Sequence, residues 1–210
     1  MIKGFWHIYM INHWYSVVTD QMRILLASGL YDMCENISIG CLGSKQEKDY
    51  LEKYVVNVYP KLKICYYSDI PERYEFPTLK LIEDDENDYK GFYFHAKGVT
   101  KPADTMVNHW RAYLNEAILN KWQQHWLRVG LDYDVSSVNH LKSPDHYSGN
   151  YWWFNRKFIN KLPPVHKLDH SNRWHAEQWI CMGKGRYYWD EFKEPGDNAF
   201  LMEYRKYDRI

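Results

Sequence analysis

Four short stretches carry the side chains whose types and spacing could do chemistry. His95-Ala96-Lys97-Gly98 joins an imidazole, an ammonium and a glycine at the end of an apolar run. That set suits a diphosphate. Lys97 can offset phosphate charge, His95 can bind phosphate or a divalent metal, and Gly98 lets the backbone come close. A loop with one solvated lysine and one capping histidine is the plainer reading of the same residues. Arg111, on the polar side of the helix that follows, could reach those phosphates or make a surface ion pair. Asp132-Tyr133-Asp134 is the one D-x-D of the chain, a spacing able to hold Mn²⁺ (or Mg²⁺) on a nucleotide diphosphate. With 15 Asp in 210 residues, about one such spacing arises by chance, so exposed acids in a turn explain it without any ligand.

Ser148-Gly149-Asn150-Tyr151-Trp152-Trp153 sets adjacent aromatics on an extended run, where their rings face opposite sides. One ring packs in the core on this reading while the other lines a sugar site, with Gly149 and Asn150 permitting close approach. Arg173-Trp174-His175-Ala176-Glu177-Gln178-Trp179 places Glu177 in the first turn of a short helix. A carboxylate there is either a general base for an acceptor hydroxyl or a charge that favours the helix dipole. Glu83-Asp84-Asp85-Glu86 reads as a solvated loop.

The elements that must position these groups alternate. Strands are expected at Phe5–Ile11, Asn36–Leu42, Leu62–Tyr67, Gly91–His95, Tyr133–Asn139 and Tyr147–Phe154. Helices are expected at about Val17–Leu30, Lys45–Val56 and Asp104–Val129, with short ones near Arg156–Lys161 and His175–Met182. The charged C-terminal tail has no clear period. The pattern predicts an α/β fold with a mixed, mostly parallel sheet of about six strands flanked by helices. Ligands of such sheets bind at the carboxyl ends of the strands, which singles out Asn12 to Trp14, Gly43-Ser44, Ser68-Asp69 and His95 to Gly98.

Composition excludes several classes. Lys+Arg and Asp+Glu both number 27, so no basic excess serves nucleic acid or an anionic membrane surface. No apolar run reaches the roughly 20 residues of a spanning helix, and the N-terminus has no signal-peptide core. The four cysteines lack C-x-x-C pairing, and free thiols suit a reducing, cytoplasmic setting. No G-x-G-x-x-G, P-loop or G-x-S-x-G is present. Aromatic residues make up 18% of the chain, with 10 Trp and 19 Tyr, more than a core alone is expected to need. Amphipathic rings of this kind suit sugar or nucleotide ligands. Without repeats or linkers, residues 1–210 read as a single domain.

Taken in order, strand–H-A-K-G, N-x-W-R-x-Y (Asn108 to Tyr113), S-G-N-Y-W-W, Lys161-Leu162-Pro163 and H-A-E-Q-W (His175 to Trp179) form a recognisable series. It resembles a group of bacterial and viral glycosyltransferases with a GT-A-like fold. Within that group it looks most like the N-terminal glycosyltransferase domains of chlorella-virus proteins that help build the capsid glycan, over nearly the whole chain. The resemblance implies a UDP-sugar donor, Mn²⁺ as cofactor and transfer of rhamnose onto a glycan or glycoprotein acceptor. It also implies a chain that is one domain of a longer protein.

Residue by residue, the resemblance puts H-A-K-G (His95, Lys97, Gly98) at the strand end where GT-A enzymes carry D-x-D. S-G-N-Y-W-W (Gly149, Asn150, Trp152, Trp153) falls under a sugar, and Glu177 stands as the base of an inverting reaction. Uracil is expected near Asn12, Trp14, Ser68 and Asp69. The chain departs from the pattern in having no Asp pair at the fourth strand. A lectin-like binding module would also use the aromatics. A metal-dependent hydrolase has one His pair at i, i+4, His166 and His170, just after Pro163-Pro164, where a loop is expected.

Overall fold

A computed structural model describes residues 1–190. Its strands are β1 (Ile2–Met10), β2 (Asn36–Gly43), β3 (Leu62–Ser68), β4 (Lys90–His95), β5 (Val135–Val138), β6 (His140–Lys142), β7 (Asp145–Tyr147), β8 (Trp152–Asn155) and β9 (Tyr187–Asp190). Seven of them form one sheet in the order β3-β2-β1-β4-β8-β5-β9, and β6 and β7 make a separate hairpin. Only β8 runs against its sheet neighbours; the other contacts are parallel. The expected mixed, mostly parallel sheet is therefore present, with β9 as the strand the sequence pattern did not reveal. Most of the C-terminal tail lies outside the described residues.

Side-chain alternation along the strands splits the core into two layers. Trp6, Phe92, Phe94 and Trp153 face one cluster; Phe5, Tyr93, Trp152 and Phe154 face the other. The first is covered by α1 (Trp14–Ala27), α3 (Lys45–Leu51), α5 (Thr105–Leu114) and α6 (Trp122–Arg128), with α2 (Leu30–Met33) at its edge. The second is covered by α4 (Phe76–Asp84), α7 (Arg156–Ile159) and α8 (Trp174–Gln178). Cross-strand rings lie face to face, Phe92 on Trp153 at 4.9 Å and Tyr93 on Trp152 at 4.8 Å. Each such pair contributes about 0.5–1.5 kcal/mol beyond its area. Seven of the ten tryptophans are buried, so the aromatic surplus is chiefly core, which corrects the expectation drawn from composition.

Two departures from the sequence pattern matter for the site. The single helix expected over Asp104–Val129 is broken by a wider π turn at Asn115–Asn120, between α5 and α6. Its start is as expected, because Asp104 caps the amides of Met106 and Val107. The second departure is α4, which the proline and the acidic run concealed. Pro77 sits in the first turn, where a missing N–H costs nothing. Phe76, Leu79 and Ile82 supply a buried stripe, so Glu83 and Asp84 end a helix rather than begin a loop. Gly40 makes this packing possible: a Cβ there would lie 2.1 Å from Thr78 Oγ1. No helix among the described residues is long and apolar enough to cross a membrane.

Candidate functional site

The carboxyl ends of β1, β2 and β4 open into a cavity of about 330 Å³. Its floor is His7 and Tyr9 from β1, Leu42 from β2 and His95 from β4. Pro71, Tyr74 and Glu75 from the β3–α4 connection form one wall, and Arg173, Trp174 and Glu177 of the α8 segment form another. The turn Ala96–Lys101 and Val107 close the third side.

Glu75 is the best-anchored charged group. Its carboxylate accepts from the Tyr93 hydroxyl and, at 2.6 Å, from Asn150 Nδ2, and it faces His95 Nδ1 at 3.7 Å. Burial alone would raise its pKa, but His95, His7, the Tyr93 hydroxyl and Lys97 hold it below the ordinary carboxylate value. His95 Nε2 meets the Gly149 carbonyl at 3.0 Å, so that nitrogen carries a proton. Burial lowers the His95 pKa, against the pull of Glu75. His7 is likewise pushed down by burial, to about 4, and its Nδ1 meets Thr78 Oγ1 at 2.9 Å. The residue before Glu75, Tyr74, has φ +47°, a strained backbone for a bulky side chain.

Behind His95 a buried polar network fixes the strand end. The His95 carbonyl accepts from Gln21 Nε2 at 2.8 Å and from the Tyr151 hydroxyl at 2.6 Å. The turn beyond it is held by Arg111, which donates to the Lys97 carbonyl at 3.0 Å, and by Asn12, which donates to the Val99 carbonyl at 2.8 Å. Gly98 adopts φ +87°, and a Cβ there would lie 2.7 Å from Val107. Lys97, Gly98 and Lys101 thus face the cavity on a rigid turn. On the opposite wall α8 turns Ala176 inward and is followed by buried Trp179, whose Nε1 donates to the Pro163 carbonyl at 2.9 Å. That anchoring presents Glu177 to the cavity.

The residues singled out from the sequence divide into three groups. His95, Lys97, Gly98 and Glu177 line the cavity. Arg111, Asn12, Gly149 and Asn150 do not line it but hold groups that do. The remainder lie elsewhere. Trp14 is a core ring whose Nε1 donates to Glu47 Oε2 at 2.5 Å, and Ser68 Oγ accepts from the Ile70 amide, beside exposed Asp69. Trp152 and Trp153 are both fully buried, one in each layer, so neither presents a face to a sugar.

Asp132 and Asp134 precede β5, level with Lys90 and Asn155, at the amino-terminal end of the parallel strands. Asp134 Oδ2 accepts from the Arg186 amide at 2.9 Å, a structural task. This D-x-D is at the wrong end of the sheet for the cavity, which corrects its reading as a metal pair there. His170 stacks flat on Phe76 at 4.2 Å and its Nε2 meets the Val165 carbonyl, which removes the hydrolase pair.

Of the two nitrogens of His95, Nε2 meets the Gly149 carbonyl, and Nδ1 stands 3.7 Å from Glu75 Oε1, beyond hydrogen-bond reach; both hydrogen bonds to the Glu75 carboxylate fall on Oε2. Among the described residues no three His, Cys, Asp or Glu side chains are arranged to hold a metal ion. Glu75, His7, Tyr74, Lys101 and Arg173 are among the cavity residues that sequence reasoning did not assign to the site. Only the strand end before His95 signalled the place; nothing local marks Glu75 as its partner.

No family model and no curated protein matches the chain. The solved structures to which it is similar include the following two. One is 4-diphosphocytidyl-2C-methyl-D-erythritol synthase from Anaerococcus prevotii, at 8% identity and a TM-score of 0.48, over 100% of this chain and 99% of that one. The other is Rv0371c from Mycobacterium tuberculosis, at 10% identity and a TM-score of 0.45, over 98% and 95%.

Proposed function

We propose that this chain is a glycosyltransferase that moves a sugar from a UDP-sugar to a glycan acceptor. The observation that carries the reading is the cavity itself. At the carboxyl ends of parallel strands it sets the cations Lys97, Lys101 and Arg173 around two carboxylates, Glu75 and Glu177. The diphosphate lies against the Lys97–Lys101 turn, where Gly98 leaves room for it. The uracil takes the wall of Tyr9, Leu42, Pro71 and Tyr74 rather than the Asn12–Trp14 and Ser68-Asp69 segments. The resemblance of the motif series points to rhamnose as the sugar and a capsid glycoprotein glycan as the acceptor, in a cytoplasmic setting that the four free thiols suit.

The two carboxylates divide the work. Glu75 is ionised, accepts from Tyr93 and Asn150 on one oxygen and turns the other toward His95, so it fixes the electrostatics of the strand end. Glu177, on the wall, takes the proton of the acceptor hydroxyl as that oxygen bonds to the anomeric carbon. The bond from that carbon to the phosphate oxygen breaks on the other face, UDP leaves, and configuration inverts. Lys97 and Arg173 stabilise the charge gathering on the departing diphosphate. Glu177→Gln is expected to lower transfer at least ~10²-fold while UDP binds as before. Near-normal turnover of the variant would remove Glu177 from the role.

A second reading, a carbohydrate-binding module without catalysis, rests on one feature. Tyr15, Tyr50 and Tyr54 are the exposed aromatics among the described residues, and they form one ladder with ring centroids 5.1 and 4.4 Å apart. Binding of free oligosaccharide that is indifferent to UDP, with loss on Tyr50→Ala, would favour it.

A further inference from the structure

We infer that His95 Nδ1 and Glu75 Oε1, two hydrogen-bond acceptors that face each other in the cavity, together receive the two hydroxyls of a vicinal diol on the bound sugar nucleotide. The inference rests on the reading of the cavity as a sugar-nucleotide site and goes beyond it by assigning the contact that recognises a diol there.

The proton positions come first. His95 Nε2 lies 3.0 Å from the Gly149 carbonyl, which can only accept, so the ring proton is on Nε2. Burial keeps the imidazole neutral, which leaves Nδ1 with a lone pair. Glu75 is ionised, and both of its hydrogen bonds, from the Tyr93 hydroxyl and Asn150 Nδ2, fall on Oε2. Its Oε1 is turned to His95 Nδ1 at 3.7 Å, farther than a hydrogen bond reaches, and neither atom has a proton to give the other. Among the described residues no donor answers either atom. Both side chains line the cavity.

Two facing acceptors call for two donors. A single hydroxyl carries one proton and answers one of them. Adjacent hydroxyls on a ring, whose oxygens stand about one hydrogen-bond length apart, answer both. An ammonium group also brings several donors, but the charge of Lys97 already acts on both His95 and Glu75 and opposes a second cation. The pair is held in register from two sides. Gly149 (φ +85°) and Asn150 (φ +52°) form the turn that engages His95 and Glu75, and Tyr74 (φ +47°) directly precedes Glu75. Backbone strain of this kind persists where the surroundings over-determine a site. Along the chain, Glu75 follows Tyr74 of the wall assigned to the base, and His95 precedes the turn assigned to the diphosphate. A ribose joins base to diphosphate, so its 2′,3′-diol is the first source of the hydroxyls; the transferred sugar is the second.

The test is calorimetric titration of UDP, 2′,3′-dideoxy-UDP and UDP-rhamnose into the wild-type protein and two variants checked for their fold by circular dichroism. The dideoxy nucleotide is expected to bind the wild-type protein about tenfold more weakly than UDP, the loss of a hydrogen bond to a charged acceptor. Glu75→Gln must keep its carbonyl oxygen toward Tyr93 and Asn150, which turns its amide N–H to His95 Nδ1 and fills the pair with a donor. His95→Phe keeps a ring beside Tyr151 and removes one acceptor. Both are expected to bring UDP and its dideoxy form within about threefold of each other. Where the diol belongs to the transferred sugar, the two nucleotides bind alike, UDP-rhamnose binds about tenfold more tightly than UDP, and the same variants erase that gain. Discrimination below about threefold in both comparisons would overturn the inference and leave the sugar-nucleotide reading standing. Discrimination that survives both substitutions would do the same. Absence of binding by UDP and UDP-rhamnose alike would overturn both.

Discussion

At the amino-terminal end of the sheet Lys3 and Arg156 are 5% and 6% exposed, and at the carboxyl end the Glu75 and His95 side chains are 14% and 15% exposed. The first pair is spent on structure. Lys3 meets Asp85 at 2.6 Å, and Arg156 donates to the Asp85 and Glu83 carbonyls and to Asn160, tying the end of α4 to β1 and α7. Glu75 and His95, by contrast, border an open cavity that Lys97, Lys101 and Arg173 also line. Burial of charge by itself therefore says little about function. What distinguishes the two ends is whether the charged groups face packed protein or a space that a ligand can fill.

The contrast can be broken by substitution. Arg156→Met strands the Asp85 and Glu83 carbonyls and is expected to cost about 3–5 kcal/mol in urea unfolding while UDP affinity stays unchanged. A matching loss of UDP affinity in folded protein would mean that the two ends are coupled. Acid sharpens the comparison further. Burial pushes His7, at the cavity, and His125, far from it, down to about 4 from the ordinary 6.5. Both fold in the neutral form, so their contribution is complete above pH 6.5 and is lost as pH falls toward 4, roughly 2–3 kcal/mol each. Urea midpoints measured from pH 7 to pH 4 should fall accordingly, and His125→Gln should flatten the curve without touching ligand binding.

Smaller effects follow at single positions. Gly98→Ala forces a Cβ against Val107 at positive φ and is expected to cost about 1–3 kcal/mol, with UDP weakened as the turn shifts. Thermal melts and titration of the same variant check both. Asp134→Asn keeps an acceptor for the Arg186 amide and should cost under about 1 kcal/mol. It should leave binding alone in any buffer; a loss of affinity would return the D-x-D to the site.

How much of this could be read from the sequence depended on how local the signal was. The first three strands and the H-A-K-G end of β4 stand in apolar runs with a clear boundary, and they fold where expected. α4 was hidden because Pro77 and the acidic run resemble a loop until Phe76, Leu79 and Ile82 are seen to face the sheet together. Trp152 and Trp153 looked like a wall for sugar because adjacent strand residues face opposite ways; both of those ways are inward in a sheet covered on two faces. Glu75 had no local mark at all. It reaches His95 and Asn150 through the crossover from β3 and the antiparallel return of β8, contacts that lie 20 and 75 residues away along the chain.

The most direct measurement of the central claim is hydrogen exchange of the backbone amides with and without saturating UDP. Protection confined to residues 71–75, 95–101 and 173–177, with no change around Lys3, Asp85, Asp134 and Arg156, is the expected result. Protection at the amino-terminal end of the sheet, or at Tyr15, Tyr50 and Tyr54 with none on the 95–101 turn, would contradict it.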